Sequence, residues 1–182
     1  MTLNLVFLLA TGARDVTGLL HWIVKMLGDN PEWNEKVRSR DAPPDLPSRV
    51  VFETLRLAQS EVIMRKVLEP FEIDGFVVPA DWYLRVCVKE SHSDAAIFPN
   101  PSVFDPDRFL GTRFGRNEYS PFGMRLHSCV GVGATVTIAC ALVHELSGRY
   151  DWTLVRDGPP EFDRFHWRPN RNLRVALNPL QV

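Results

Sequence analysis

The densest chemistry in this chain lies in one stretch, Pro121-Phe122-Gly123-Met124-Arg125-Leu126-His127-Ser128-Cys129-Val130-Gly131. Cys129 sits where a loop enters an apolar segment that reads as a helix. The first N–H groups of a helix lack internal partners and favour negative charge, so a thiolate and any metal it holds are well placed there. Gly131, Gly133 and Ala134 keep the first turn slim enough for a flat macrocycle to approach the backbone. His127 can reach an anionic group on the rim of such a macrocycle. The plain alternative is a buried, inert cysteine that packs as a small apolar side chain.

Three other constellations can do chemistry. Glu53 and Arg56 stand at i, i+3 on one helix face and can pair, either as a solvated surface contact or inside a larger buried network. Arg65 offers a planar fork that suits carboxylates, unless it is a solvated strand residue. Arg14, Asp15 and Thr17 put an acid and a hydroxyl close together on a long helix, where they can relay protons or be no more than polar residues near a bend.

These residues need elements to hold them. Residues 3–27 have helical apolar spacing, with Gly28, Asp29, Asn30 and Pro31 as the stop and Asn30-Pro31 opening a short helix to about residue 38. The apolar run 3–10 lacks the basic flank of a signal peptide, and Gly12, Arg14 and Asp15 interrupt it too early for a membrane span, which predicts a buried helix. A chain that begins inside a core helix leads us to expect further polypeptide upstream. Prolines 43, 44 and 47 mark a loop, and Ser48 can cap a helix over 49–58. Asp74-Gly75 between 71–73 and 76–78 is a hairpin signal, and 82–88 is rich in strand formers. Residues 98–109, with three prolines, form an irregular packed stretch. Residues 130–146 are apolar almost all round, which predicts a helix buried on every side. Short strands are expected near 152–155 and 173–177.

Bulk composition limits the alternatives. The chain has 182 residues, 45% of them hydrophobic, enough for one domain with its own core. A net charge of −1, with no block of like charge, gives no electrostatic footprint for nucleic acid or an anionic membrane. The three cysteines, at 87, 129 and 140, are too few and too widely spaced for a disulfide framework or a zinc site, and suit a reducing compartment.

Taken together, these motifs resemble the C-terminal half of the cytochrome P-450 family. Phe122, Gly123, His127, Cys129 and Gly131 match its haem-binding signature; Arg125 stands where the family has Gly. Glu53-Thr54-Leu55-Arg56 matches its E-x-x-R motif, and Phe104-Asp105-Pro106-Asp107-Arg108-Phe109 supplies the Arg that joins that pair. The resemblance implies a mainly α fold with small β-sheets, read here as a single truncated domain over 1–182. Its parts are a distal helix (1–28), the E-x-x-R helix (48–58), a β-hairpin region (71–88), the meander and Cys loop (98–128), a proximal helix (129–147) and C-terminal strands (148–182).

It also implies haem b (iron protoporphyrin IX) with Cys129 as the iron ligand, Arg65 and His127 as contacts to the haem, and Glu53, Arg56 and Arg108 as a structural network. Asp15 and Thr17 are the catalytic candidates. Without gaps, Arg14 takes the acid position and Asp15 the hydroxyl position. With one deletion after Thr17, Asp15 is the acid and Val16 takes the hydroxyl position, and this second register is preferred. His92 and Asp94 fall in a polar turn to which no catalytic role is given.

The function implied is a haem-thiolate monooxygenase, as a fragment or one part of a split enzyme. A small organic substrate, an electron-donating reductase or ferredoxin, and a chain supplying the N-terminal half would be its partners. The other readings are a haem-thiolate isomerase or dehydratase, and a haem-free remnant or interaction module. With no signal peptide or membrane segment recognised, the expected location is cytoplasmic.

Overall fold

A computed structural model describes residues 2–59, 62–163 and 166–180. A 28-residue helix, α1 (Thr2–Asp29), leads into α2 (Pro31–Arg38) and α3 (Leu46–Thr54), which runs on into a π turn over Leu55–Gln59. Strands β1 (Val62–Lys66), β2 (Phe71–Ile73), β3 (Phe76–Val78) and β4 (Tyr83–Cys87) follow, then the short α4 (Val88–Ser91). Two 3-10 turns, Pro106–Phe109 and Arg125–His127, punctuate the irregular stretch before α5 (Val132–Arg149). Strands β5 (Tyr150–Arg156), β6 (Glu161–Asp163), β7 (His166–Arg168) and β8 (Arg174–Pro179) complete the order.

The core forms where four helices and one strand converge. Leu19, Ile23 and Leu27 of α1 recur at helical spacing and pack with Trp33, with Leu46, Val50 and Val51 of α3, with Ala139 and Val143 of α5, and with Trp152 of β5. Two indoles fasten α1 to the C-terminal strands: Trp152 Nε1 donates to the Val24 carbonyl at 3.0 Å and Trp22 Nε1 to the Trp167 carbonyl at 2.9 Å. α1 ends at Asp29, within the stop expected over residues 28–31, and Gly28 lies in its last turn, where a Cβ would come 2.7 Å from Leu154 Cδ2, so it is also the gap through which β5 approaches the helix.

Ser48 also differs from its expected capping role. The helix starts earlier, at Leu46, with proline in its first turn, a position that tolerates a missing N–H. Ser48 Oγ instead donates to the Asp45 carbonyl at 2.7 Å.

Among the described residues the four sheets are antiparallel pairs: β1 with β4, β2 with β3, β5 with β8 and β6 with β7. The β2–β3 turn is the Asp74-Gly75 hairpin read from the sequence, with both residues at positive φ (48° and 81°) as a type I′ turn requires. Strand β1 and its pairing with β4 were not foreseen.

Three expectations are corrected. The apolar helix ending the Cys loop is not buried all round. Only Ala139, Val143 and Ser147 of α5 are buried, and Val130 just before it is 92% exposed, because among the described residues α5 has neighbours on one side only. Likewise the first turns of α1 are exposed from Leu3 to Leu9 rather than buried. The expected cytoplasmic location without a membrane segment does not stand either: Leu3–Asp29 is long and apolar enough to cross a membrane, by length and composition, because the charges at Arg14 and Asp15 are too few to break the span.

Candidate functional site

The Cys loop is shaped by a few backbone bonds. Gly123 N–H donates to the Ser120 carbonyl (3.1 Å), and Cys129 N–H reaches back to the Phe122 carbonyl (2.8 Å), which closes residues 122–129 on themselves. Gly123 holds φ +75°, and a Cβ there would meet the His127 carbonyl oxygen at 2.9 Å, so the closure requires glycine. Arg125 opens the 3-10 turn at φ +53°, a left-handed conformation for a residue with a side chain.

Cys129 precedes α5 by three residues, and its side chain is exposed. The Gly131 N–H donates to Cys129 Sγ at 3.4 Å, one of the sulfur-directed donors expected of the helix entrance.

The thiol borders two cavities. The first, about 360 Å³, lies between the Cys loop and α1, and among its lining are Leu8, Gly12, Asp15 and Val16 of α1, with Leu55 and Phe122. The second, about 400 Å³, is formed by Met64 and Arg65 of β1 against Gly123, His127 and Ser128. Phe122 and Cys129 belong to both. The residues present therefore fit a flat, apolar group with carboxylates on its edge. One soft sulfur ligand stands beside an apolar slot, and Arg65 and His127 wait on one rim.

The structure divides the α1 candidates. Asp15 enters the Cys129 cavity, and its Oδ1 lies 3.2 Å from His166 Nε2 of β7. Thr17 does not: its hydroxyl donates to the Ala13 carbonyl at 2.7 Å, and its side chain lines a different cavity with Arg14. Residues two apart on a helix point to different faces, so the pair cannot act at one spot. His166 was missed from the sequence. No local pattern links a strand histidine at the far end of the chain to an acid on the first helix.

Behind the site, Glu53 and Arg56 are fully buried and joined twice, Arg56 Nε to Oε2 and Nη2 to Oε1, both at 2.7 Å. Arg108 Nε adds a longer bond to Glu53 Oε1 at 3.3 Å, and the Asp105 N–H donates to the same oxygen at 3.0 Å. The free ends of the two arginines collect the carbonyls of His92, Pro99 and Val103 (2.9, 2.7 and 3.2 Å), so the meander is wrapped onto α3.

His92 is completely buried beside this network. Its Nε2 accepts the Ser120 N–H at 3.0 Å, which places the ring proton on Nδ1 and ties the ring to the base of the Cys loop. Burial, with Arg56 adding to it, lowers the His92 pKa from 6.5 to about 4. Asp94 caps the following turn through the Ala96 N–H at 2.9 Å.

Comparison with known proteins agrees with this geometry. The profile of the cytochrome P-450 family matches residues 46–173. Abscisic acid 8′-hydroxylase 1 of Arabidopsis thaliana is 31% identical over 163 residues, which cover 79% of this chain and 35% of that protein. Cucurbitadienol 11-hydroxylase of Siraitia grosvenorii is 26% identical, over 80% of this chain and 35% of its own length. A cyanobacterial CYP120A1 with bound retinoic acid superposes with a TM-score of 0.81 at 26% identity, covering 96% of this chain and 45% of that one. The chain thus spans about a third of the length of the curated relatives it matches. With the Cys loop, the E-x-x-R pair and the meander arginine in one fold, and with a family match over most of its length, this chain belongs to the cytochrome P-450 family.

Proposed function

We propose that residues 1–182 form the haem-binding portion of a haem-thiolate monooxygenase, a single domain with Cys129 as the axial ligand of haem b. The observation that carries this reading is the place of the Cys129 thiol, exposed on a pinned loop where two cavities meet. Haem bound there would supply oxygen activation, so that one atom of O₂ enters a small organic substrate with electrons from a reductase or ferredoxin. The relatives named as hydroxylases support that reaction class.

The chain's own residues do the rest. Gly131 N–H holds the sulfur by a hydrogen bond and withdraws charge from it. Arg65 and His127 orient the group by its carboxylates. Asp15 Oδ1 lies 3.2 Å from His166 Nε2 at the α1 wall, where Leu8, Val16 and Phe122 add apolar lining. Polypeptide corresponding to the N-terminal half of the relatives, on a partner chain or continuous with this one, covers the exposed faces of α1 and α5.

One observation favours a second reading. Thr17 lies outside the Cys129 cavity and Val16 lines it, so the hydroxyl position of the preferred register is apolar, and the hydroxyls that line the cavity belong to Thr11 and Thr135. A haem-thiolate isomerase or dehydratase needs no acid–hydroxyl pair, and product formation without O₂ uptake would select it.

The test is haem reconstitution of the purified chain and the absorption spectrum of its reduced carbon monoxide complex. A strongly red-shifted Soret band is expected, and Cys129→Ala should abolish it. A band that survives Cys129→Ala would overturn the assignment of the ligand.

A further inference from the structure

Two faces of α1 look into two different cavities. Leu8, Thr11, Asp15 and Leu19, at i, i+3, i+7 and i+11, line the cavity that holds Cys129. Arg14, Thr17 and His21 line the other. Thr11 and Thr17 therefore serve separate spaces, and their hydroxyls differ as well. A threonine hydroxyl in a helix commonly donates to the carbonyl four residues back, and Thr17 does so to Ala13 at 2.7 Å. Among the described residues no hydrogen bond takes the Thr11 hydroxyl. Thr11 is exposed, and Gly12 beside it leaves room, because a Cβ there would meet nothing within 4 Å.

Helix geometry sets Thr11 one turn before Asp15, with Cβ atoms about 5–6 Å apart. An acid and a hydroxyl thus share one wall, although not the two residues that the preferred register pairs. Asp15 is anchored, its Oδ1 lying 3.2 Å from His166 Nε2. An ionised carboxylate accepts hydrogen bonds and cannot donate them, whereas a hydroxyl does both and its O–H rotates to suit the acceptor. Phe7, Leu8, Val16 and Phe122 make the lining around Thr11 apolar, and a hydrogen bond in such surroundings is stronger than in water. The other hydroxyl of the cavity stands on the far side. Thr135 belongs to α5, and its Oγ1 and Cys129 Sγ each lie 3.7 Å from the point where a Gly131 Cβ would sit. Thr135 flanks the thiol; Thr11 faces the thiol from α1.

We propose that the Thr11 hydroxyl is the hydrogen-bond donor of the α1 wall, directed at the oxygen of a small ligand held between α1 and the group that Cys129 binds. It takes, with Asp15, the part that Thr17 is too far round the helix to play. The proposal rests on haem at Cys129.

Haem reconstitution of the full chain and the infrared C–O stretch of its reduced carbon monoxide complex test it. A donor beside the ligand's oxygen draws electron density onto that oxygen, weakens the C–O bond and lowers the stretch. Thr11→Val keeps the shape and removes the hydroxyl, so it should raise the frequency, and Thr11→Ser should return it to the wild-type value. Thr17→Val should leave it unchanged. The red-shifted Soret band, recorded for each variant, separates a lost hydrogen bond from a lost haem site, and Thr11→Ala replaces the valine variant if that one takes up no haem. A wild-type stretch in a haem-loaded Thr11→Val or Thr11→Ala chain overturns this proposal alone. An equal rise in Thr17→Val also overturns it, since that hydroxyl lies outside the cavity. Absence of the red-shifted band in the wild-type chain overturns the haem reading and this proposal with it.

Discussion

Arg125 carries a left-handed backbone in the loop that presents Cys129, at φ +53°. A side chain in that conformation costs about 1 kcal/mol relative to glycine. Arg125→Gly is therefore expected to raise stability by about that amount in urea unfolding, and a β-branched Arg125→Val to lower it. Gly123→Ala should be far worse, because the new Cβ meets a backbone oxygen that cannot yield. A loss of more than about 2 kcal/mol is expected, with loss of the Cys loop geometry.

His92 gives a pH signature. Its pKa is about 4 in the folded chain, because burial and Arg56 disfavour the charged ring, against 6.5 when unfolded. Protons bind the unfolded chain more tightly, so the stability tied to neutral His92 is complete above pH 6.5 and is lost as pH falls through 4. The span is at most roughly 3 kcal/mol. His92→Gln should flatten the unfolding free energy between pH 6.5 and 4, as measured by urea titration at each pH. The sequence placed His92 in a turn; nothing in its neighbours announced that it would be walled in by Phe98, Tyr119 and Arg56.

At the scale of elements, the Glu53–Arg56–Arg108 network decides how the meander lies on α3. The i, i+3 pair was legible because helix geometry sets it. That Arg108 joins it followed from the resemblance and not from spacing, since its approach depends on the prolines and turns between. Charges withdrawn from water this completely are worth little net, but removing one partner strands the others. Glu53→Ala, which leaves two guanidiniums facing each other, is expected to cost 3–5 kcal/mol in the urea midpoint analysis, or to prevent folding. Glu53→Gln combined with Arg108→Met should cost less than the sum of the two single changes, as coupled partners do. The π turn at Leu55–Gln59 contains Arg56, and no sequence pattern indicated it.

At the scale of the whole molecule, the apolar faces of α1 and α5 dominate behaviour in solution. Leu3 of α1 is 86% exposed, Ile138 of α5 is 47% exposed and Leu126 of the Cys loop is 99% exposed, and apolar surface of this kind drives association. Light scattering of the isolated chain should show mass rising with concentration. Leu3→Lys with Leu126→Lys should reduce that rise with little change in melting temperature, because neither side chain is packed. The sequence by itself determined the local features: the periods of the helices, the Asp74-Gly75 hairpin, the E-x-x-R pair and the cysteine loop with its glycine. Each depends on residues a few positions apart, where backbone geometry leaves few choices. The tertiary structure alone decided which distant strands pair, that Asp15 meets His166, that Thr17 turns to a cavity of arginines, and that α5 is covered on one side only. Those outcomes depend on how separate elements close on one another and on which neighbours are present to bury them, and neither is written in any local window of the chain.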